Sequence, residues 1–143
     1  MIDFNFYISN KQVGGLNFQI CHSVNKEIIY KKSLVINEDL FSLIQDDFSL
    51  CYYDNNEKYK YYHWGVNFHD KQDIECIIKR LNYRLDKINQ NNINNLNYSW
   101  LDEDCVEFLN TNKINFKKFI EYVIDFINIF QINEYDGIYV IGV

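Results

Sequence analysis

Apolar and polar residues alternate through the first third of the chain, which is the pattern of strands with one buried face. The first alternating run covers residues 4–8, and the second covers 16–24 after the pair Gly14-Gly15. A third run, 28–36, is rich in β-branched residues. The pattern predicts a strand, a turn at the glycine pair, a second strand and then a third.

Apolar spacings of three and four residues predict amphipathic helices further along the chain. A short helix follows Asn37, whose side chain can cap it, and Asp46 and Asp47 fall on its polar face. A longer helix follows Asp70, another residue suited to the N-cap, and ends near Asn89, where an Asn-rich segment begins.

The remaining segments complete an α+β pattern. Strict alternation over 58–68 predicts the clearest strand of the chain, and Asn-rich residues 89–97 predict a surface loop. Two further helices are predicted over 100–109 and 115–130, the second apolar over much of its circumference and therefore central. A last strand, 138–143, closes the chain. We predict a single domain over 1–143, a mainly antiparallel sheet with helices on one face.

Composition removes several classes of function. Fourteen basic against twenty acidic residues give a net charge of −6, the wrong sign for binding a nucleic-acid backbone directly. No apolar stretch approaches the roughly twenty residues that cross a bilayer, so no membrane contact is predicted. The first residues carry an acid where a secretory signal would carry positive charge, which predicts a cytoplasmic location.

Four cysteines are spread along the chain without a CxxC motif or another close pair. They are Cys21, Cys51, Cys76 and Cys105. This spacing is typical neither of a zinc site nor of a small secreted scaffold dense in disulfides. We therefore expect reduced and mostly buried thiols.

Acidic residues concentrate in two segments that contain no basic residue. Residues 36–57, the first acidic segment, hold six acids, and residues 92–112, the second acidic segment, hold four. Like charges this close repel one another, whereas their negative field would raise the association rate of a basic partner. A solvated face that keeps the protein soluble is the alternative interpretation. The acids are Glu38, Asp39, Asp46, Asp47, Asp54, Glu57, Asp102, Glu103, Asp104 and Glu107.

Tyrosines border the first acidic segment, and tyrosine is enriched in the cores of protein interfaces. The same rings would also suit the buried face of a sheet. On the binding interpretation, the predicted partner-binding residues are Asp46, Asp47, Tyr52, Tyr53, Asp54, Glu57, Tyr59, Tyr61, Asp102, Glu103, Asp104 and Glu107.

Residues able to support catalysis are present, but their spacing matches no established site. Cys51 with His63 would make a thiol and base pair, His63 with His69 a partial metal site, and the three acids from Asp102 a magnesium site. None has the glycine-rich turn or further ligand that such chemistry needs. We therefore predict no catalytic residue, metal or cofactor. A hydrolase or nuclease using His63 with Asp102 or Asp104 is the alternative.

In its overall character the chain resembles the immunity proteins of bacterial polymorphic-toxin systems, including those of contact-dependent growth inhibition. The resemblance rests on small size, the two acidic segments and the aromatic stretch 58–68. It implies that the protein binds a cognate toxin domain, often a basic nuclease, in the cytoplasm and occludes its active or substrate-binding site. A structural or regulatory module of a bacterial or phage assembly is a further alternative.

Overall fold

A computed structural model of the protein describes residues 2–52 and 61–142. Within these residues, five strands form one antiparallel sheet in the order β1-β3-β2-β5-β4. The strands are β1 Phe6–Ser9, β2 Asn17–Val24, β3 Glu27–Asn37, β4 Val66–Asp70 and β5 Gly137–Gly142. The predicted α+β class with an antiparallel sheet is confirmed.

Strand β1 pairs with β3, so the two strands that flank the glycine pair are not neighbours. The side chain of Gln19 holds the connection between them. Its amide nitrogen donates to the carbonyl of Lys11 at 3.0 Å, and its oxygen accepts from the backbone of Val13 at 3.0 Å. These bonds attach residues 11–13 to β2, while β2 forms a hairpin with β3 on one side and pairs with β5 on the other.

Five α-helices pack with the sheet in the described part of the chain. They are α1 Glu38–Ser42, α2 Gln45–Ser49, α3 Lys71–Asn89, α4 Glu103–Thr111 and α5 Lys113–Ile127. Two predicted caps are confirmed, because Asn37 accepts from the Leu40 amide and Asp70 from the Asp73 amide, each at 2.8 Å. The one helix predicted after Asn37 is instead two, since Ile44 leaves the helical conformation with φ −119°.

The main core lies between one face of the sheet and the helices. Ile20 and Leu34 are partners across β2 and β3 and are completely buried. From α5, Phe119 and Ile120 join the same cluster, which agrees with the prediction that this helix is central. The core gathers residues from both ends of the chain into one unit.

The strand predicted over 58–68 is wrong for residues 61–65, which precede β4 without belonging to a strand, and residues 58–60 lie outside the described part. The buried side chain of Asn67 explains the difference. Its oxygen accepts from the backbone nitrogen of Tyr62 at 2.9 Å, and its nitrogen donates to the carbonyl of Tyr62 at 2.6 Å. These bonds fold the chain back, and Tyr62 and Trp64 remain substantially exposed.

Two of the four cysteines form a disulfide, which corrects the prediction of four reduced thiols. Cys51, just after α2, is bonded to Cys76 on α3. Cys21 is a buried free thiol and Cys105 a half-buried one. Twenty-five positions separate the bonded pair, so no local spacing indicated it. In the described residues, no helix is long and apolar enough to cross a membrane.

Candidate acidic interface on helix α4

Helix α4 carries the four acids of the second acidic segment. Asp102 is the N-cap, and its Oδ1 accepts from the backbone nitrogen of Cys105 at 2.8 Å. This hydrogen bond lowers the pKa of Asp102 by favouring the carboxylate. Glu103 and Asp104 occupy the first turn, where negative charge is stabilised by the helix dipole. Three of the four acids therefore have a local structural role, and Glu107 lies one turn beyond it.

These four carboxylates are exposed and have no ionic partner in the part of the chain that the structure describes. All four side chains are open to solvent. Within residues 2–52 and 61–142, no basic side chain comes within 4.0 Å of any of them. Their charge is thus screened by water and salt alone, and a basic protein could approach it without displacing an internal pair.

A small apolar groove of about 240 Å³, here named the α4 groove, runs along one side of the helix. Its lining combines apolar side chains with one carboxylate: Ile2, Leu43, Trp100, Asp104, Cys105, Phe108 and Leu109. The indole nitrogen of Trp100 is buried and, among the described residues, has no hydrogen-bond partner. A lysine or arginine side chain fits such a lining, because its stem is apolar and its charged end can meet Asp104.

Neighbouring clefts extend this surface around α4. Beyond Asp104, a cleft of about 480 Å³ is lined in part by Glu107 and Phe108. A further open cleft of about 750 Å³ has a mainly polar lining that includes Glu103 and, as its apolar members, Leu101 and Val106. The exposed carboxylates therefore border clefts of mixed character, with the apolar α4 groove on one side, an arrangement suited to contact with another protein.

Part of the first acidic segment lies close to α4. Asp46 of α2 accepts a hydrogen bond from the hydroxyl of Ser99 at 3.2 Å, and Ser99 is three residues before Asp102. Leu43, between α1 and α2, lines the α4 groove itself. The structure thus brings Asp46 next to the second segment, although the two are far apart in sequence.

The prediction that Asp47 is an exposed acid is wrong. Its carboxylate is completely buried and pairs with two arginines of α3, Arg80 at 3.1 Å and Arg84 at 2.9 Å. The hydroxyl of Tyr98 donates to its second oxygen at 2.6 Å. Asp47 therefore leaves the set of candidate partner-binding residues. The sequence held a partial signal, because Arg84 continues the buried stripe of α3 that includes Leu81; this position indicates a buried arginine but does not identify Asp47 as its partner.

The tyrosines predicted to contact a partner are only partly exposed where the structure describes them. Tyr61 is half-buried, its hydroxyl has no hydrogen-bond partner within the described ranges, and burial raises its pKa. The Tyr61 ring lies 5.8 Å from the imidazole of His69, and the Tyr52 ring lies 5.5 Å from it. Both rings therefore face inward, which the binding interpretation did not expect. The other predicted residues of this stretch lie outside the described residues: Tyr53, Asp54, Glu57 and Tyr59.

The candidate catalytic groups are dispersed. Cys51 is held in the disulfide and offers no thiolate. The Nδ1 atom of His63 is 2.5 Å from the side-chain nitrogen of Gln45. The Nε2 atom of the same ring is 3.9 Å from the carboxylate of Glu38, and no other carboxylate of the described residues lies within 4.0 Å of His63. His63 therefore does not meet the acids of α4. Within residues 2–52 and 61–142, no group of three or more His, Cys, Asp or Glu lies close enough to hold a metal ion.

Comparison with known proteins adds no assignment. No family model, curated protein or solved structure matches the chain. The functional argument therefore rests on the geometry of α4. What this surface offers is negative charge beside a small apolar groove, which are means of binding a protein.

Proposed function

We propose that this chain is a protein-binding domain of the immunity type, which uses helix α4 to bind a basic toxin domain and block its active or substrate-binding site. The observation that carries the proposal is the exposed, unpaired row of carboxylates beside the α4 groove. A nuclease binds the phosphates of its substrate with lysine and arginine. The carboxylates of α4 would occupy the same basic groups and exclude the nucleic acid.

The two components of the surface have separate energetic roles in this proposal. Exposed carboxylates such as Glu103 and Glu107 attract the partner over a distance and mainly raise the association rate. The α4 groove receives one lysine or arginine side chain, whose burial against Trp100 and Phe108 lowers the dissociation rate. Contact between that side chain and Asp104 would be largely desolvated, so removing the carboxylate would cost 2 to 5 kcal/mol of binding, an order-of-magnitude value.

The proposal expects an upstream reading frame that ends in a small basic domain, and the test takes that domain as the toxin candidate; a neighbouring gene without one would count against the proposal. In the α4 variant, Glu103→Gln, Asp104→Asn and Glu107→Gln remove three charges while the Asp102 cap stays. A matched control, Glu75→Gln, Asp125→Asn and Glu134→Gln, removes three exposed acids elsewhere. Stopped-flow association at low salt should be at least about tenfold slower for the α4 variant, and near the wild-type rate for the control.

Inhibition of the toxin is measured in the same samples. We expect the α4 variant to need a higher concentration than the control to protect nucleic acid from cleavage. Equal association rates for both variants would contradict the role of α4. Tight binding without any protection would contradict the inhibitory function while leaving the interface intact.

A cytoplasmic location is part of this proposal, and the Cys51–Cys76 disulfide is the feature that opposes it, because disulfides are rare in reducing compartments. Alkylating the thiols in intact cells of the source organism, followed by mass spectrometry, decides between the two. Alkylated Cys51 and Cys76 are expected for a cytoplasmic protein. An intact disulfide in freshly trapped protein would indicate an oxidising compartment instead.

A further inference from the structure

A separate cleft of about 480 Å³ lies against α3, away from the clefts around α4. Its charge is opposite to that of the α4 surface. Its lining is Lys79, Arg80, Tyr83, Arg84 and Asn97. The chain contains two arginines in all, and both border this cleft. In a protein of net charge −6, this concentration of cationic side chains is the exception that needs a physical explanation.

The carboxylate of Asp47 does not balance the positive charge here. Its Oδ1 accepts from Nε of Arg80 and from Nε and Nη2 of Arg84, at 3.1, 3.3 and 2.9 Å, and its Oδ2 accepts from Tyr98. One carboxylate thus serves two guanidinium groups, so the carboxylate neutralises only one of the two positive charges. Arg84 is only 3% exposed, and within the described residues Asp47 is the one carboxylate within 4.0 Å of either arginine.

Arg80 and Lys79, which line the cleft, keep hydrogen-bond donors that have no acceptor in the described residues. Arg80 uses its Nε for Asp47, and no residue in the described ranges accepts a hydrogen bond from its two terminal nitrogens, while its side chain is 32% exposed. Lys79, next to it, is exposed and makes no ion pair within the same ranges. A planar guanidinium beside an ammonium is the combination that binds a phosphate group well.

Hydrogen bonds fix the part of the cleft that Tyr83 and Asn97 form. The side-chain nitrogen of Asn97 donates to the hydroxyl of Tyr83 at 2.9 Å, and that hydroxyl donates to the carbonyl of Asn95 at 3.1 Å. Tyr83 is 37% exposed, and the Arg84 guanidinium and the Lys87 ammonium each lie 5.3 Å from the centre of its ring, so the ring has an exposed part beside these cations. The volume exceeds that of a phosphate ion and lies within the range of small-molecule sites.

We propose that this cleft binds the phosphate group of a small organic molecule of nucleotide size. Arg80 and Lys79 hold the phosphate oxygens, Arg84 supplies the unbalanced charge behind them, and Tyr83 packs against the organic part. The site is separate from the α4 groove in its residues, so it does not rest on the proposed toxin inhibition.

The test measures binding of adenosine monophosphate, inorganic phosphate and adenosine by calorimetry and by backbone amide chemical shifts. Arg80→Gln and Lys79→Gln should each weaken binding of the monophosphate at least tenfold. Lys118→Gln, which removes an exposed charge from α5, should change it less than twofold. Lys79 makes no ion pair in the described residues, so Lys79→Gln should fold normally even if Arg80→Gln does not.

Each result has a defined meaning. Tighter binding of the monophosphate than of phosphate, with no binding of adenosine, supports the proposal. Equal binding of phosphate and monophosphate, lost in the same variants, supports the phosphate site and assigns free phosphate as its occupant. Absence of binding at millimolar concentration, or binding that is unchanged in a correctly folded Lys79→Gln protein, would overturn it.

Discussion

The two acidic segments have the same character in sequence and opposite positions in the structure. In the second, the carboxylates of α4 are exposed and, within the described residues, unpaired. In the first, Asp47 is completely buried between Arg80, Arg84 and Tyr98, while its neighbour Asp46 stays near the surface. A local excess of acid therefore does not indicate an exposed acidic surface, because the balancing cations can come from a distant helix.

The largest expected effect comes from removing the buried charge. Asp47→Asn would leave Arg84 buried without its counter-ion, and we expect a loss of about 3 to 5 kcal/mol in the free energy of unfolding. Asp46→Asn, one position away, should change it by less than about 0.5 kcal/mol. Urea unfolding of both variants measures the difference. Similar losses for both variants would contradict the structure, in which Asp47 is buried and Asp46 lies near the surface.

Reducing the disulfide tests how firmly the first acidic segment is joined to α3. Cys51 and Cys76 close a loop of 25 residues, so reduction should lower the free energy of unfolding by roughly 3 kcal/mol. Unfolding with and without dithiothreitol gives the value, and Cys105→Ser serves as the thiol control. A protein as stable reduced as oxidised would mean that packing and the ion pairs of Asp47 hold α2 against α3 without the covalent bond.

A pH titration examines a half-buried polar group outside both segments, the imidazole of His22. His22 lies between the rings of Phe126 and Tyr135, at 4.4 and 4.7 Å, and burial lowers its pKa. The unfolded chain then binds a proton more readily, so stability should fall as the pH drops below about 6.5, the ordinary histidine value.

Unfolding free energies between pH 8 and pH 5.5 measure this loss, and His22→Gln should make the curve flatter over that range. The opposite slope, a protein more stable at pH 5.5, would contradict a lowered pKa for His22.

The smallest effect on stability is expected on α4. Glu107→Gln should change the free energy of unfolding by less than about 0.5 kcal/mol, because its side chain has no ionic partner in the described residues and lies beyond the first turn of the helix. Thermal unfolding checks this. A clear loss of stability would mean that this charge supports the fold and is not free for a partner.

Features governed by near neighbours were predictable from the sequence. The caps at Asn37 and Asp70 depend on an amide three residues away, and the central position of α5 follows from its own apolar stripe. The acids at the start of α4 could equally have been recognised as residues favoured at a helix N-terminus. Local physics therefore accounts for the helices and for much of the candidate interface.

Features governed by distant contacts were not predictable. The pairing of β1 with β3, the disulfide and the burial of Asp47 all join residues more than twenty positions apart. The strand predicted over 58–68 failed for a different reason, since one side chain, Asn67, competes for the backbone of Tyr62. No periodicity contains that information, because a polar residue in an alternating pattern is ordinarily assigned to the solvent face.

Hydrogen exchange of the whole protein, alone and with the toxin candidate defined under the proposed function, is the most direct test of the α4 interface. We predict slower exchange of amides over residues 102–111 in the complex, together with Trp100 and Leu43 at the α4 groove. A stable complex in which those amides exchange as in the free protein would contradict the claim that α4 binds the partner.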